Sequence, residues 1–456
     1  MTAPPLDTPG QASGPRLAWF SPMPPSSSGI AAYSAEVLPY LRARGLVIDV
    51  YVDPAQGAEP GDGMAKAHDF VWRHRRSPYD LIVYQLGNAY CHSYMWGYLF
   101  RYPGLVVLHD GQVHQARAQD LLARWEPRRD DYLAEFAANH PDAPPDIGRL
   151  IAEGLGGTLF GHWPLVHLLL RASRLAAVHS LVLSSRLAAR HEVAVRTIPM
   201  GVADPLAAPG SVSAAEVRAR YGLGPDHVVI GAFGGLTPEK RLPQVIDAVT
   251  ALASDHPGLH LLLVGTPALH YDVAGDAVAH GIADRVHFSG YVPDAELAAH
   301  LAAADICACL RWPTTGETSA SWLRALAAGR ATVITDLAHQ PDVPVAPPRG
   351  WRGTQADPVA VAVPILGEAI ALRVAFDELA RSRDRRVALG AAARAYWRDH
   401  HTLDHMADAY LAAVGEAMVR PAPQPPLPFH LRDTGEARLT ELLAPFGVEP
   451  PANLVE

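Results

Sequence analysis

A chain of 456 residues, 49% of them hydrophobic, is long enough for two or three domains and has ample apolar side chains for their cores. A formal charge of −9 and a pI near 6.2 exclude a general nucleic-acid binder, because no excess of Lys and Arg exists to neutralise phosphates. No apolar run reaches the roughly 18 residues a membrane-spanning helix needs, so no transmembrane segment is expected, although contact with a membrane surface stays compatible.

Three cysteines occur, Cys91, Cys307 and Cys309. The last two are alternate residues of an apolar run and share one face, a poor geometry for a disulfide, so a reducing cytoplasm fits best. The 22 histidines are scattered, with no HExxH helix and no CxxC pair, so no metal is expected. Residues 1–15 are rich in Pro, Gly, Ser and Thr without a charged and then apolar start, and read as a flexible tail rather than a signal peptide.

In chain order, Arg16 to Phe20 reads as a strand, Ala31 to Arg44 as a helix and Val47 to Val52 as a second strand, a β-loop-α-β unit. Gly29 at the helix entrance can bring N–H groups against a phosphate or an acceptor hydroxyl, or simply make a tight turn. Strands over 80–86 and 104–108 follow, ending in Gly87-Asn88 and His109-Asp110. Ligands of open parallel sheets bind beyond the carboxyl ends of the strands, which gathers Gly29, Asn88, His109 and Asp110 at one cleft. His109 either serves the ligand, with Asp110 fixing its tautomer, or caps its own strand. Residues 115–174 carry several amphipathic helical patterns, and strands over 175–180 and 194–198 complete the first half. A segment starting at Pro199 reads as the hinge.

The alternation then restarts with a strand over 228–233, the turn Gly234-Gly235-Leu236-Thr237-Pro238-Glu239-Lys240-Arg241 and a helix over 243–254. Glycines at a strand end beside Lys240 and Arg241 make a plausible diphosphate grip, or a solvated basic pair. Strands over 261–265 and 286–292 follow, each leading into a helix. The stretch from Arg311 to Gly329 lies between two apolar runs and reads as strand, polar turn and helix. Gly316 lets the backbone approach closely, Glu317 offers a carboxylate to a sugar, and the N–H groups from Thr318 and Ser319 suit a phosphate. The alternative is an ordinary capped helix. Residues 357–382 and 385–418 read as helical, the latter with Tyr396, Trp397, Tyr410 and Leu411 as core candidates. A proline-rich break follows at 420–428.

This ordered set resembles the retaining GT-B glycosyltransferases, particularly the large family 4, over roughly residues 16–420. Gly29 resembles the family's N-domain glycine loop and His109 its strand-end histidine. Gly234-Gly235 through Lys240 resembles the phosphate loop with its diphosphate lysine. Val286 to Val292 resembles the segment whose backbone faces the nucleobase, and Gly316-Glu317 with Ala325 to Gly329 the acidic donor-binding motif. The resemblance implies an α/β GT-B fold, two Rossmann-like doubly wound domains facing across a cleft. An acceptor-side domain would cover 16–203 and a donor-binding domain 204–400. A helical segment and Pro-rich tail over 401–456 would pack back on the first domain.

The implied activity is a metal-independent, retaining transfer of a hexose from a nucleoside diphosphate sugar, a substrate rather than a cofactor, to an acceptor hydroxyl. His109, Glu317 and Lys240 would carry catalysis. Gly29, Gly234, Gly235, Arg241, Val292, Gly316, Thr318, Ser319 and Arg324 would hold the donor, and Asn88 and Asp110 the acceptor. That acceptor, a sugar, lipid-linked sugar, small molecule or protein, is not specified, nor is the oligomeric state. A cytoplasmic protein, free or at the inner face of the membrane, is expected. Two departures stand out: Gly235 occupies the place of the phosphate-loop arginine, with Arg241 or Arg324 as substitutes, and Ala325 or Arg324 falls where a second, ribose-binding glutamate is usual. A guanidinium only donates hydrogen bonds and cannot replace that carboxylate. These departures motivate an alternative, a catalytically weak nucleotide-binding or partner subunit, with a nucleotide-sugar epimerase as a further enzyme reading.

Overall fold

The computed structural model describes residues 14–448 apart from 27, 54, 56–62, 124–125, 208–211, 337–342 and 350–356. Most of the expected N-terminal tail and part of the expected hinge segment thus lie outside the described residues.

Among the described residues, two seven-stranded, wholly parallel sheets form the frame. The first orders its strands β3-β2-β1-β4-β5-β6-β7: β1 (Arg16–Phe20), β2 (Val47–Val52), β3 (Met64–Lys66), β4 (Leu81–Leu86), β5 (Leu105–Leu108), β6 (Leu175–Val178) and β7 (Val195–Thr197). The second runs β10-β9-β8-β11-β12-β14-β13, from β8 (Val228–Phe233), β9 (Leu259–Val264) and β10 (Val286–Gly290) to β11 (Ile306–Cys309), β12 (Ala331–Thr335), β13 (Val345–Ala346) and β14 (Ala360–Val363). Central strands such as β4, β5 and β12 are buried along their whole length, because helices cover both faces of a parallel sheet. Their sequences are accordingly apolar runs rather than alternations.

Two differences from the sequence reading have physical causes. Ala360 to Val363 is strand and not helix. Its short β-branched run is buried between neighbours, and helix begins only at Glu368. The long helical region is two helices, Arg383–His400 and Leu403–Val419, because the Thr402 side chain caps a new N-terminus by accepting from His405 N–H. Of the four core candidates there, Trp397 and Tyr410 are buried, whereas Tyr396 and Leu411 are only partly covered.

The Leu403–Val419 helix follows the second sheet in sequence but packs on the first, against the Gly29–Ala43 helix and strands β4 to β6. Its Tyr410 ring lies 5.4 Å from Trp19 of β1, and its hydroxyl is 2.7 Å from that of Tyr33. One apolar cluster runs from Leu17 and Tyr33 through Met406 to Trp322 and Ala325, joining both lobes. Residues beyond the carboxyl ends of strands in the two sheets meet across one gap, Thr318 at the His179 carbonyl and Thr315 at Gly111.

Candidate active site

On the second lobe, β8 ends at Phe233 and the chain turns through Gly234, whose φ of +88° suits glycine. A Cβ on Gly234 would also lie 2.7 Å from Lys240 Nζ, so the glycine leaves room for the ammonium beneath the loop. That ammonium donates to the Phe233 carbonyl, and Ser321 Oγ donates to the same oxygen at 3.3 Å. No carboxylate pairs with Lys240 among the described residues. Burial, and next the Arg311 guanidinium, depress its pKa to about 8. A poorly solvated ammonium at a strand end, near the opening of the Ala320–Ala327 helix, favours an anion.

The polar turn after β11 folds on itself. Glu317 Oε2 accepts from Thr314 Oγ1 (3.0 Å), Thr315 N–H (2.8 Å) and Thr315 Oγ1 (2.8 Å), while Oε1 meets Arg311 Nε at 3.0 Å. Burial pushes this carboxyl up, but Arg311 and the turn's donors outweigh it and hold the pKa below the usual value. Gly316 supplies a φ of +87°. Ser319 caps the following helix by accepting from Trp322 N–H at 3.2 Å.

The same turn touches the first lobe. Thr318 Oγ1 donates to the His179 carbonyl at 3.2 Å, and Arg186 Nη2 to the Thr315 carbonyl at 3.0 Å. Gly111 packs so closely that a Cβ there would sit 2.0 Å from Thr315 O. Glu317 is therefore at the gap, within electrostatic reach of Asp110 on the opposite lobe.

His109, at the end of β5, is buried, and both ring nitrogens face protein. Nδ1 lies 3.2 Å from His179 Nε2, and Nε2 lies 2.8 Å from the Gln85 side-chain amide. His179 Nδ1 is 2.9 Å from the Ile198 carbonyl, which only accepts, so that nitrogen carries hydrogen. Burial holds the His179 pKa at about 4, leaving a neutral ring whose Nε2 is a lone pair. His109 must then donate from Nδ1 and accept at Nε2, which requires the Gln85 amide to turn its nitrogen to His109 and its oxygen to Tyr410. Tyr33, Tyr410, Gln85, His109 and His179 form one hydrogen-bonded chain. This corrects the expectation that Asp110 fixes the His109 tautomer: Gln85 and His179 do so. Asp110 instead accepts from Asn88 N–H at 2.8 Å, and burial raises its pKa to about 6.

The remaining expected residues divide. Gly29 opens its helix with free space at its Cα, next to the Ser28 cap. Gly235 is exposed on the loop beside Lys240. Asn88 uses its side chain internally, accepting from Ala116 N–H and donating to Gln115 Oε1, both at 3.1 Å. Arg241 is held by Glu368, Arg324 Nη2 reaches Glu36 of the other lobe at 2.6 Å, and Val292 is half-buried against the core. Gln85, His179 and Arg311 had no assigned part; Gln85 was hidden in a buried strand, but His179 and Arg311 sit just beyond strand ends, the signal that picked out His109. Among the described residues no group of three or more His, Cys, Asp or Glu side chains is arranged to hold a metal ion.

Residues 227–365 match the model of the family Glycosyl transferases group 1. A GDP-mannose-dependent alpha-(1-6)-phosphatidylinositol monomannoside mannosyltransferase of Mycobacterium tuberculosis is 30% identical over 213 residues, 44% of this chain and 51% of that protein. The chain thus matches about half the length of that relative. Among solved structures, sucrose-phosphate synthase from Thermosynechococcus elongatus superposes with a TM-score of 0.59 at 18% identity, covering 88% of this chain and 98% of that one. A glycosyltransferase from Rickettsia africae gives 0.61 at 12% identity, covering 90% and 100%. The two facing sheets are the GT-B fold of glycosyltransferases, and the segment that matches the group 1 model, residues 227–365, spans the second of them.

Proposed function

We propose that this GT-B chain is a hexosyltransferase that moves a sugar from a nucleoside diphosphate sugar to an acceptor hydroxyl, with retained anomeric configuration and without a metal ion. The observation that carries the reading is the Lys240 ammonium, lodged under the Gly234 turn at the inter-lobe gap with no carboxylate partner among the described residues. In the reaction, the bond from the sugar's anomeric carbon to the diphosphate oxygen breaks, and the acceptor oxygen bonds to the same face. The acceptor's proton passes to the departing phosphate. Lys240 and the N–H groups opening the Ala320–Ala327 helix stabilise the leaving charge, the task a cation would otherwise perform.

Glu317 holds hydroxyls of the donor sugar, and Asp110 faces the acceptor from the other lobe. His109, with its nitrogens engaged, shapes the floor between them. Docking of the 311–319 turn on Gly111 and His179 excludes water and limits donor hydrolysis. Because the mycobacterial relative is GDP-mannose-dependent, GDP-mannose is the first donor to test. No helix among the described residues is long and apolar enough to cross a membrane. The proposed setting is the cytoplasm, free or at the membrane's inner face.

The test is GDP release from GDP-mannose, with UDP-glucose as the comparison, in EDTA and with sugar or lipid-linked acceptors, followed by NMR of the product's anomeric proton. Retained configuration, and turnover lost in Glu317→Ala while the protein stays folded, are expected. Turnover indifferent to both Lys240→Ala and Glu317→Ala would refute the assignment. GDP binding without turnover of either donor would favour a partner-subunit role.

A further inference from the structure

The end of β11 is set against the turn that carries Lys240, because Trp312 N–H donates to the Glu239 carbonyl at 2.7 Å. Arg311 is thereby brought to the gap. It acts electrostatically on Lys240 from one side and on Asp110 of the opposite lobe from another, and its Nε contacts Glu317 Oε1 at 3.0 Å. The other arginines near this region are engaged as well, Arg241 with Glu368, Arg324 with Glu36, and Arg186 with the Thr315 carbonyl. Among the described residues, two cations, Lys240 and Arg311, converge with Glu317 as their one ion-paired carboxylate. Counting Lys240, Arg311 and Arg186 against Glu317 and Asp110, the local balance at neutral pH is one positive charge in excess, before the partial charge of the helix start is added.

Glu317 does not depend on Arg311 for its placement. Three donors from Thr314 and Thr315 anchor Oε2, so Arg311 can leave Oε1 without releasing the side chain. A guanidinium also matches phosphate oxygens with two parallel N–H bonds, which an ammonium cannot do.

We propose that Arg311 is the second cation of the diphosphate site, and that its ion pair with Glu317 is a resting contact that an incoming diphosphate replaces. The exchange frees Glu317 Oε1 for the donor sugar, so diphosphate binding and sugar recognition are coupled through one arginine. The inference rests on the transferase reading above and assigns a residue to the site that reading describes.

The test is calorimetric titration of the full chain with inorganic pyrophosphate in EDTA, which probes the site without a base or sugar. Arg311→Gln is expected to weaken binding about tenfold or more, as for other charge-assisted contacts. Glu317→Gln is expected to tighten it severalfold, because the competing carboxylate is gone. If both substitutions weaken binding, the pair is a brace for the turn and the proposal falls. If Arg311→Gln binds as the unaltered protein does while Lys240→Met does not bind, the diphosphate site stands without Arg311. If the unaltered protein and Lys240→Met alike fail to bind pyrophosphate, the diphosphate reading itself fails and this inference with it. Should Arg311→Gln not fold, Arg311→Lys must weaken binding severalfold against the tightening in Glu317→Gln.

Discussion

Lys240 and Glu317 lie in one gap under opposite demands. The lysine loses solvation under a glycine turn and its pKa falls to about 8, while the glutamate gains enough donors to stay ionised despite burial. The lysine gives a pH signature. In the proposed reaction only its protonated form would attract the diphosphate, and a terminal phosphate is already largely ionised at pH 7, above its second pKa of about 6. GDP affinity should be level from pH 7 to about 8 and then fall, approaching tenfold per unit. Calorimetry across pH 7 to 9.5 checks this, and Lys240→Met should bind weakly with that inflection removed. An inflection unchanged by the substitution would assign it to another group.

At the scale of elements, the Leu403–Val419 helix lies after the second sheet in sequence and completes the first in space. Tyr410 links it to the first lobe through Tyr33 and Gln85, both buried. Tyr410→Phe keeps the ring against Trp19 but leaves these polar groups short of a partner, a loss of about 1–3 kcal/mol. Chemical denaturation should read that loss, and nitrogen NMR of the His109 ring should report a changed tautomer balance if the chain of hydrogen bonds is as derived. An unchanged midpoint and spectrum would remove the helix from that network. A smaller effect belongs to Thr402→Ala, which deletes the cap of the same helix at a cost of about 1 kcal/mol.

For the whole molecule, two properties follow from how the lobes are built and docked. Burial lowers the pKa values of His92, His114 and His179 to about 4, against the ordinary 6.5 of a solvated imidazole. Between those values the unfolded chain binds more protons than the folded one, so stability is fully present above pH 6.5 and is lost as pH falls toward 4, by on the order of 1 kcal/mol per histidine and pH unit. Thermal melts from pH 7.5 to 5 should show a steady decline; a flat profile would contradict burial of these rings as neutral groups. Lobe docking makes its own prediction: Gly111→Ala puts a methyl 2.0 Å from the Thr315 carbonyl and should hold the turn off the first lobe. The expected result is a larger radius of gyration by X-ray scattering and reduced turnover with little change in melting temperature. Apolar runs bounded by turn residues made the strands of both sheets legible, and the glycine turn with Lys240 and the stretch containing Glu317 stood out, because each depends on residues adjacent in sequence. The strand at 360–363 falls within a stretch that reads as helical, because a short apolar run has no period that separates the two. The partners of Arg241, Arg324 and His109 lie far along the chain, at Glu368, Glu36, Gln85 and His179. Which cation is left for a ligand is decided by such distant pairings, and only the folded arrangement of the two lobes fixes them.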